Sequence, residues 1–138
     1  MTLPALRDDA LRVHHGRTEV RLSLPWIRSL PLASLLDTTL RIDGEPYDAE
    51  VVLGSRRIAT DALSVEDAWW HLQDRVVLQI PDAVTPGIHD VSVSFRLEIP
   101  YLPGGPDAPL RLPFAFTREL DASAAPAAGA SLDVGSAA

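Results

Sequence analysis

The sequence contains neither cysteine nor lysine, and each absence removes a class of function. Without cysteine there is no disulfide, no thiolate metal site and no cysteine nucleophile, a composition at home in a reducing compartment. Without lysine the 12 basic residues are all arginine, set against 19 Asp and Glu for a net charge of −7. No basic stripe is available to displace the counterions of a nucleic acid, so nucleic acid is not an expected partner. Long apolar runs are missing too. Nothing approaches the roughly 20 residues of a membrane span, and Arg7, Asp8 and Asp9 stand where a signal peptide would carry its apolar core. A soluble, cytoplasmic protein without membrane contact is the expectation.

At 138 residues the chain has the length of one domain, able to bury roughly two-thirds of the surface its unfolded form exposes. Around Gly16, Val13, Val20, Leu22 and Leu24 alternate with Thr18, Glu19, Arg21 and Ser23, which predicts a half-buried strand pair with its polar set facing water. Residues 38–42 and 47–53 flank Asp43-Gly44-Glu45-Pro46 and predict a hairpin. Residues 76–80 predict a strand that stops at Pro81. The longest alternation follows Thr85-Pro86-Gly87: His89, Val91, Val93, Phe95 and Leu97 point one way, and Ile88, Asp90, Ser92, Ser94, Arg96 and Glu98 the other. One face on a core and one in water is what such a pattern requires. Residues 100–109 read as a loop and 110–120 as a last strand, which Pro113 places at an edge or bulge.

No amphipathic helix of useful length appears, so the expected class is all-β, an antiparallel β-sandwich over residues 1–121. Residues 122–138, rich in Ala, Ser and Gly and without an aromatic side chain, predict a disordered tail.

Against this regular background, residues 24–32 are apolar yet unsuited to ordinary helix or strand, because Pro25 and Pro31 lack an N–H and restrict the residue before each. They predict a stiff, irregular corner carrying Trp26 and Arg28. Either Trp26 plugs the end of the sandwich with the Arg28 stem over it, or the pair belongs to a docking surface, since Trp and Arg are enriched at interface centres. A second aromatic segment, Trp69-Trp70-His71, predicts two indoles on opposite sides of extended chain, one in the core and one outward. The outward one fits a protein partner or the flat face of a sugar or aglycone ring.

No catalytic constellation is legible. There is no Gly-Xaa-Ser-Xaa-Gly elbow, and Gly104-Gly105 lies between prolines with no helix to follow. His14 and His15 are adjacent on a predicted strand and so should point to opposite faces, while His71 and His89 are isolated. No histidine spacing matches a metal site, and none is expected from this chain alone. A hydrolase acting by itself would need a triad that the sequence does not display.

The segment from Arg21 to Leu32, with Leu40-Arg41-Ile42-Asp43-Gly44, the Trp69-Trp70 segment ahead of Asp74, and the Pro86-Gly87 turn, resembles the small β subunit of bacterial C-glycoside deglycosidases. The Pro-Trp-Xaa-Arg-Ser-Leu-Pro corner is its most specific piece; Ile27 stands where the family has tyrosine. The resemblance implies a non-catalytic β-sandwich subunit of a carbon–carbon lyase. Its partner would be a larger barrel subunit of the sugar phosphate isomerase/epimerase type, holding a divalent metal, usually manganese, and the general base. It further implies that Pro25, Trp26, Arg28, Ser29, Leu30, Pro31, Trp69, Trp70 and His71 form a partner interface at the rim of the active site, with no catalytic residue and no cofactor in this chain. The alternative is a free-standing carbohydrate- or ligand-binding sandwich whose exposed tryptophans stack on sugar rings.

Overall fold

A computed structural model describes residues 5–106 and 108–122. The predicted tail therefore lies outside the described residues, apart from Ala122. The strands are β1 (Leu11–His14), β2 (Arg17–Ser23), β3 (Leu30–Pro31), β4 (Leu35–Ile42), β5 (Glu45–Tyr47), β6 (Glu50–Leu53), β7 (Arg56–Ala59), β8 (Trp69–Trp70), β9 (Arg75–Ile80), β10 (Ile88–Gly105) and β11 (Ala108–Asp121). Only two short 3-10 turns, Leu32–Ser34 and Thr60–Val65, interrupt them among the described residues. Every pairing is antiparallel. One sheet runs β1-β2-β9-β6-β7, the other β11-β10-β4-β5, and β3 and β8 form a separate two-stranded ribbon.

The core lies between the two larger sheets. Val20, Leu22, Val51, Val76 and Leu78 come from the first, and Leu40, Ile42, Val93, Phe95 and Leu97 from the second. The alternation of β10 is as the sequence predicts: Val91, Val93, Phe95, Leu97 and Ile99 are buried while Asp90, Ser94 and Arg96 are not. Asp43 and Gly44 both have positive φ, so the β4–β5 turn has the backbone twist that a two-residue hairpin favours.

Four expectations are corrected. The strand predicted over 47–53 breaks at Asp48-Ala49: β5 pairs with β4, whereas β6 crosses to the other sheet and pairs with β7 and β9. The loop predicted over 100–109 is instead the far end of the β10–β11 hairpin, with register shifts between Ile99 and Gly105 that accommodate its prolines. The strands pass so closely there that a Cβ on Gly104 would stand 2.5 Å from the Pro109 carbonyl oxygen. His14 and His15 do not point apart; His15 takes φ 51 in the turn after β1, and their rings meet edge-on with centroids 4.0 Å apart.

The fourth correction concerns β2, which is buried on both faces. Glu19, Arg21 and Ser23 are at most 5% exposed. Residues 5–10 run along this strand, with the Arg21 N–H donating to the Ala10 carbonyl and the Ser23 N–H to that of Ala5. Beneath them Asp9 accepts from Arg75 Nη1 at 2.7 Å, and Arg21 Nη2 donates to the Asp9 carbonyl at 2.9 Å. Buried charge is tolerated where it is paired, so the polar row of β2 becomes an interior network.

Candidate functional site

The corner after β2 is built from both ends. Residues 24–29 have no regular structure, as two prolines in seven residues dictate. The chain then enters β3, where Leu30 pairs with Trp70 and Pro31 with Trp69 of β8. Leu32 N–H donates to the Ala68 carbonyl at 2.9 Å, extending the ribbon. The two segments singled out in the sequence are thus one piece of structure, although about forty residues of chain separate them.

Its anchors and its exposed groups alternate. Leu30 and Trp70 are buried in the main core, and Trp70 Nε1 donates to the Asp74 carbonyl at 3.2 Å. Pro25 is buried as well. These three fix the corner and present no surface to a partner. Ser29 faces the neighbouring turn, where its Oγ accepts from Leu72 N–H at 3.0 Å. His71 is exposed, and its carbonyl closes the same turn by accepting from Asp74 N–H.

Tyr101, in a segment expected to be a loop and outside the expected interface residues, supplies the other half from β10. From the extended end of β10 its Oη accepts from Trp26 Nε1 at 2.6 Å, and its ring lies 5.5 Å below the Arg28 guanidinium carbon. The hydrogen bond ties a half-buried indole to a distant strand, and the ring–cation contact is attractive by the ring quadrupole. Ile27 is 70% exposed, Trp69 50%, and Leu72 and Tyr101 47% each. Together with Arg28 they are exposed groups of the corner, the β8 turn and the end of β10, segments tied by the Trp26–Tyr101 and Ser29–Leu72 hydrogen bonds. Trp, Tyr and Arg are the residue types enriched at interface centres.

Among the described residues no three His, Asp or Glu side chains gather as metal ligands. The pair with displaced titration, Asp43 and His89, is at the other end of β10, about 40 Å away by strand rise. There His89 Nδ1 meets Asp43 Oδ2 at 2.6 Å and Nε2 meets the Thr85 carbonyl at 2.7 Å. These two acceptors raise the imidazole pKa above its ordinary 6.5; the same bond, helped by the Asp90 N–H, lowers that of Asp43. Among the described residues, no helix is long and apolar enough to cross a membrane.

No known family profile matches the chain. It is 32% identical over 102 residues to the 3′-dehydrocarminate deglycosidase beta subunit of Microbacterium sp, a match spanning 70% of this chain and 76% of that protein. It is 31% identical over 102 residues to the C-glycoside deglycosidase beta subunit of Microbacterium trichothecenolyticum, across 70% and 78% of the two chains. A C-glycoside deglycosidase beta subunit from Arthrobacter globiformis is 29% identical over 103 residues, covering 79% of its length.

Proposed function

The chain belongs to the family of C-glycoside deglycosidase beta subunits, and from that premise we propose that it is the non-catalytic subunit of a cytoplasmic carbon–carbon lyase acting in carbohydrate metabolism. Its partner is a larger barrel subunit of the isomerase/epimerase type that holds the divalent metal, manganese by expectation, and the general base. The substrate is a 3-keto glycoside joined through carbon to an aromatic aglycone. The ketone acidifies the C2 proton; the base removes it, the electron pair forms the C1–C2 double bond, and the bond to the aglycone carbon breaks as that carbon regains a proton.

The observation that supports the reading is the corner itself. Ile27, Arg28, Trp69, Leu72 and Tyr101 form an exposed, largely apolar surface, with Arg28 held over the Tyr101 ring. Such a surface supports a role in holding another protein, and in this scheme the chemistry resides in that protein. Coexpression with the barrel protein tests it: the two are expected to copurify, with elimination depending on both. A chain that stays monomeric beside a barrel fully active alone would overturn the proposal.

The exposed Trp69 indole favours one second reading, a free-standing carbohydrate-binding module. Tryptophan fluorescence separates the two. A binding module responds to glycosides without a partner, and the subunit responds to the barrel protein.

A further inference from the structure

The outer face of the five-stranded sheet concentrates positive charge in a chain whose net charge is −7. Arg12, Arg17, Arg21, Arg57 and Arg75 all stand on it, five of the 12 arginines. Arg21 and Arg75 belong to the buried Asp9 network, and Arg12 Nε donates to Glu19 Oε1 at 2.6 Å. Arg17 and Arg57 are different. Their acceptor is a neutral amide: Gln79 Oε1 takes a hydrogen bond from Arg17 Nη1 at 3.2 Å and another from Arg57 Nε at 2.5 Å. Among the described residues neither forms an ion pair with a carboxylate.

Two guanidinium groups bonded to one oxygen atom repel each other, and a shared amide dipole compensates little of that repulsion. Gln79 is itself 7% exposed and fixed, because its Nε2 donates to Glu19 Oε2 at 2.9 Å while Arg12 occupies Oε1. The two cations are therefore held by a buried support, each with most of its planar fork of N–H donors unspent. Guanidinium forks match carboxylates bidentately. Residues 5–10 cover part of this face, but at Arg57, which is exposed, and Arg17, which is half-buried, it is open and lacks the enclosure that a small free ligand needs. In a chain of net charge −7, an acidic partner is favoured at a face where these two cations have no carboxylate partner among the described residues.

We propose that Arg17 and Arg57 form a carboxylate clamp, preorganised by Gln79 and Glu19, that receives an acidic side chain of a protein partner. This site is independent of the corner and of the deglycosidase reading. Two carboxylates stand opposite Gln79 by register: Glu19 on β2, held by Arg12 and Gln79, and Glu50 on β6, which is exposed.

The test is an NMR titration of the full chain, following the arginine Nε–Hε signals assigned by substitution. The probe is an acetylated, amidated tetraglutamate peptide, with succinate and sodium chloride at matched ionic strength as controls. Saturable shifts at Arg17 and Arg57 are expected with the peptide, weakened about tenfold by Arg57→Gln at unchanged melting temperature. Glu50→Gln should alter the affinity less than about threefold. No saturable shift, shifts reproduced by sodium chloride, or succinate binding as tightly as the peptide would each overturn the proposal. So would a tenfold gain in Glu50→Gln, which would mean that Glu50 fills the clamp in the free chain.

Discussion

Trp26 donates its indole N–H to the hydroxyl of Tyr101 at 2.6 Å, across 75 residues of sequence. The bond joins the irregular corner after β2 to the protruding end of the β10–β11 hairpin, and Arg28 rests on the same tyrosine ring. One residue thus holds both side chains that make the corner resemble an interface centre.

Tyr101→Phe isolates the hydrogen bond, because the ring beneath Arg28 remains. A net hydrogen bond is worth about 0.5–1.5 kcal/mol, so the variant should lose stability in that range and show a red-shifted tryptophan emission. Tyr101→Ala removes the ring as well and should weaken partner binding further than Tyr101→Phe. Equal binding by both variants and the wild type would show that Tyr101 does not organise the corner.

Asp9→Asn addresses the buried network beneath residues 5–10. Arg75 is 1% exposed and Arg21 5%, and removing the carboxylate between them leaves two cations in the interior. Breaking a buried pair costs about 3–5 kcal/mol. Urea denaturation should show a fall of that size in unfolding free energy, whereas a loss under about 1 kcal/mol would place the network in effective contact with water.

His89 and Asp43 give the stability a defined pH dependence. Because the folded-state pKa of His89 is raised, its contribution is fully present below 6.5 and is lost as pH rises through the raised value. Asp43 has a lowered folded-state pKa, so its contribution is present above 3.8 and is lost as pH falls through the lowered value. Between these limits the charged pair pins the β4–β5 turn to the start of β10. Denaturation midpoints from pH 5 to 9 should converge for wild type and His89→Asn at the alkaline end. A constant difference across that range would contradict the assignment.

Much of this was legible in the sequence, and the exceptions share a cause. The alternation from Val91 to Leu97 fixes β10, and Pro25 and Pro31 fix an irregular corner, because each signal is local. The opposed placement of Trp69 and Trp70 follows from the period of extended chain. Tyr101 escaped because its neighbours Pro100, Pro103, Gly104 and Gly105 read as a loop, while strand pairing with bulges carries it outward as a rigid extension. The charged row of β2 read as solvent-facing because alternation reports that two faces differ, without reporting what lies over the polar one. Residues 5–10, which cover it, have no period of their own. The crossing at Asp48-Ala49 was hidden because β5 and β6 together continue one alternating pattern.

Contact between the partner subunit and the corner with the β8 turn is read by hydrogen exchange on the assembled complex. Residues 26–29 lie outside regular structure and their amides should exchange rapidly in the free chain. In the complex with the barrel protein, peptides spanning 24–32 and 66–74 are expected to slow at least about tenfold, with Arg28→Ala weakening assembly by about 2 kcal/mol at an unchanged melting temperature. Unaltered exchange in both segments of a stable complex would contradict the claim and move the interface elsewhere on the molecule.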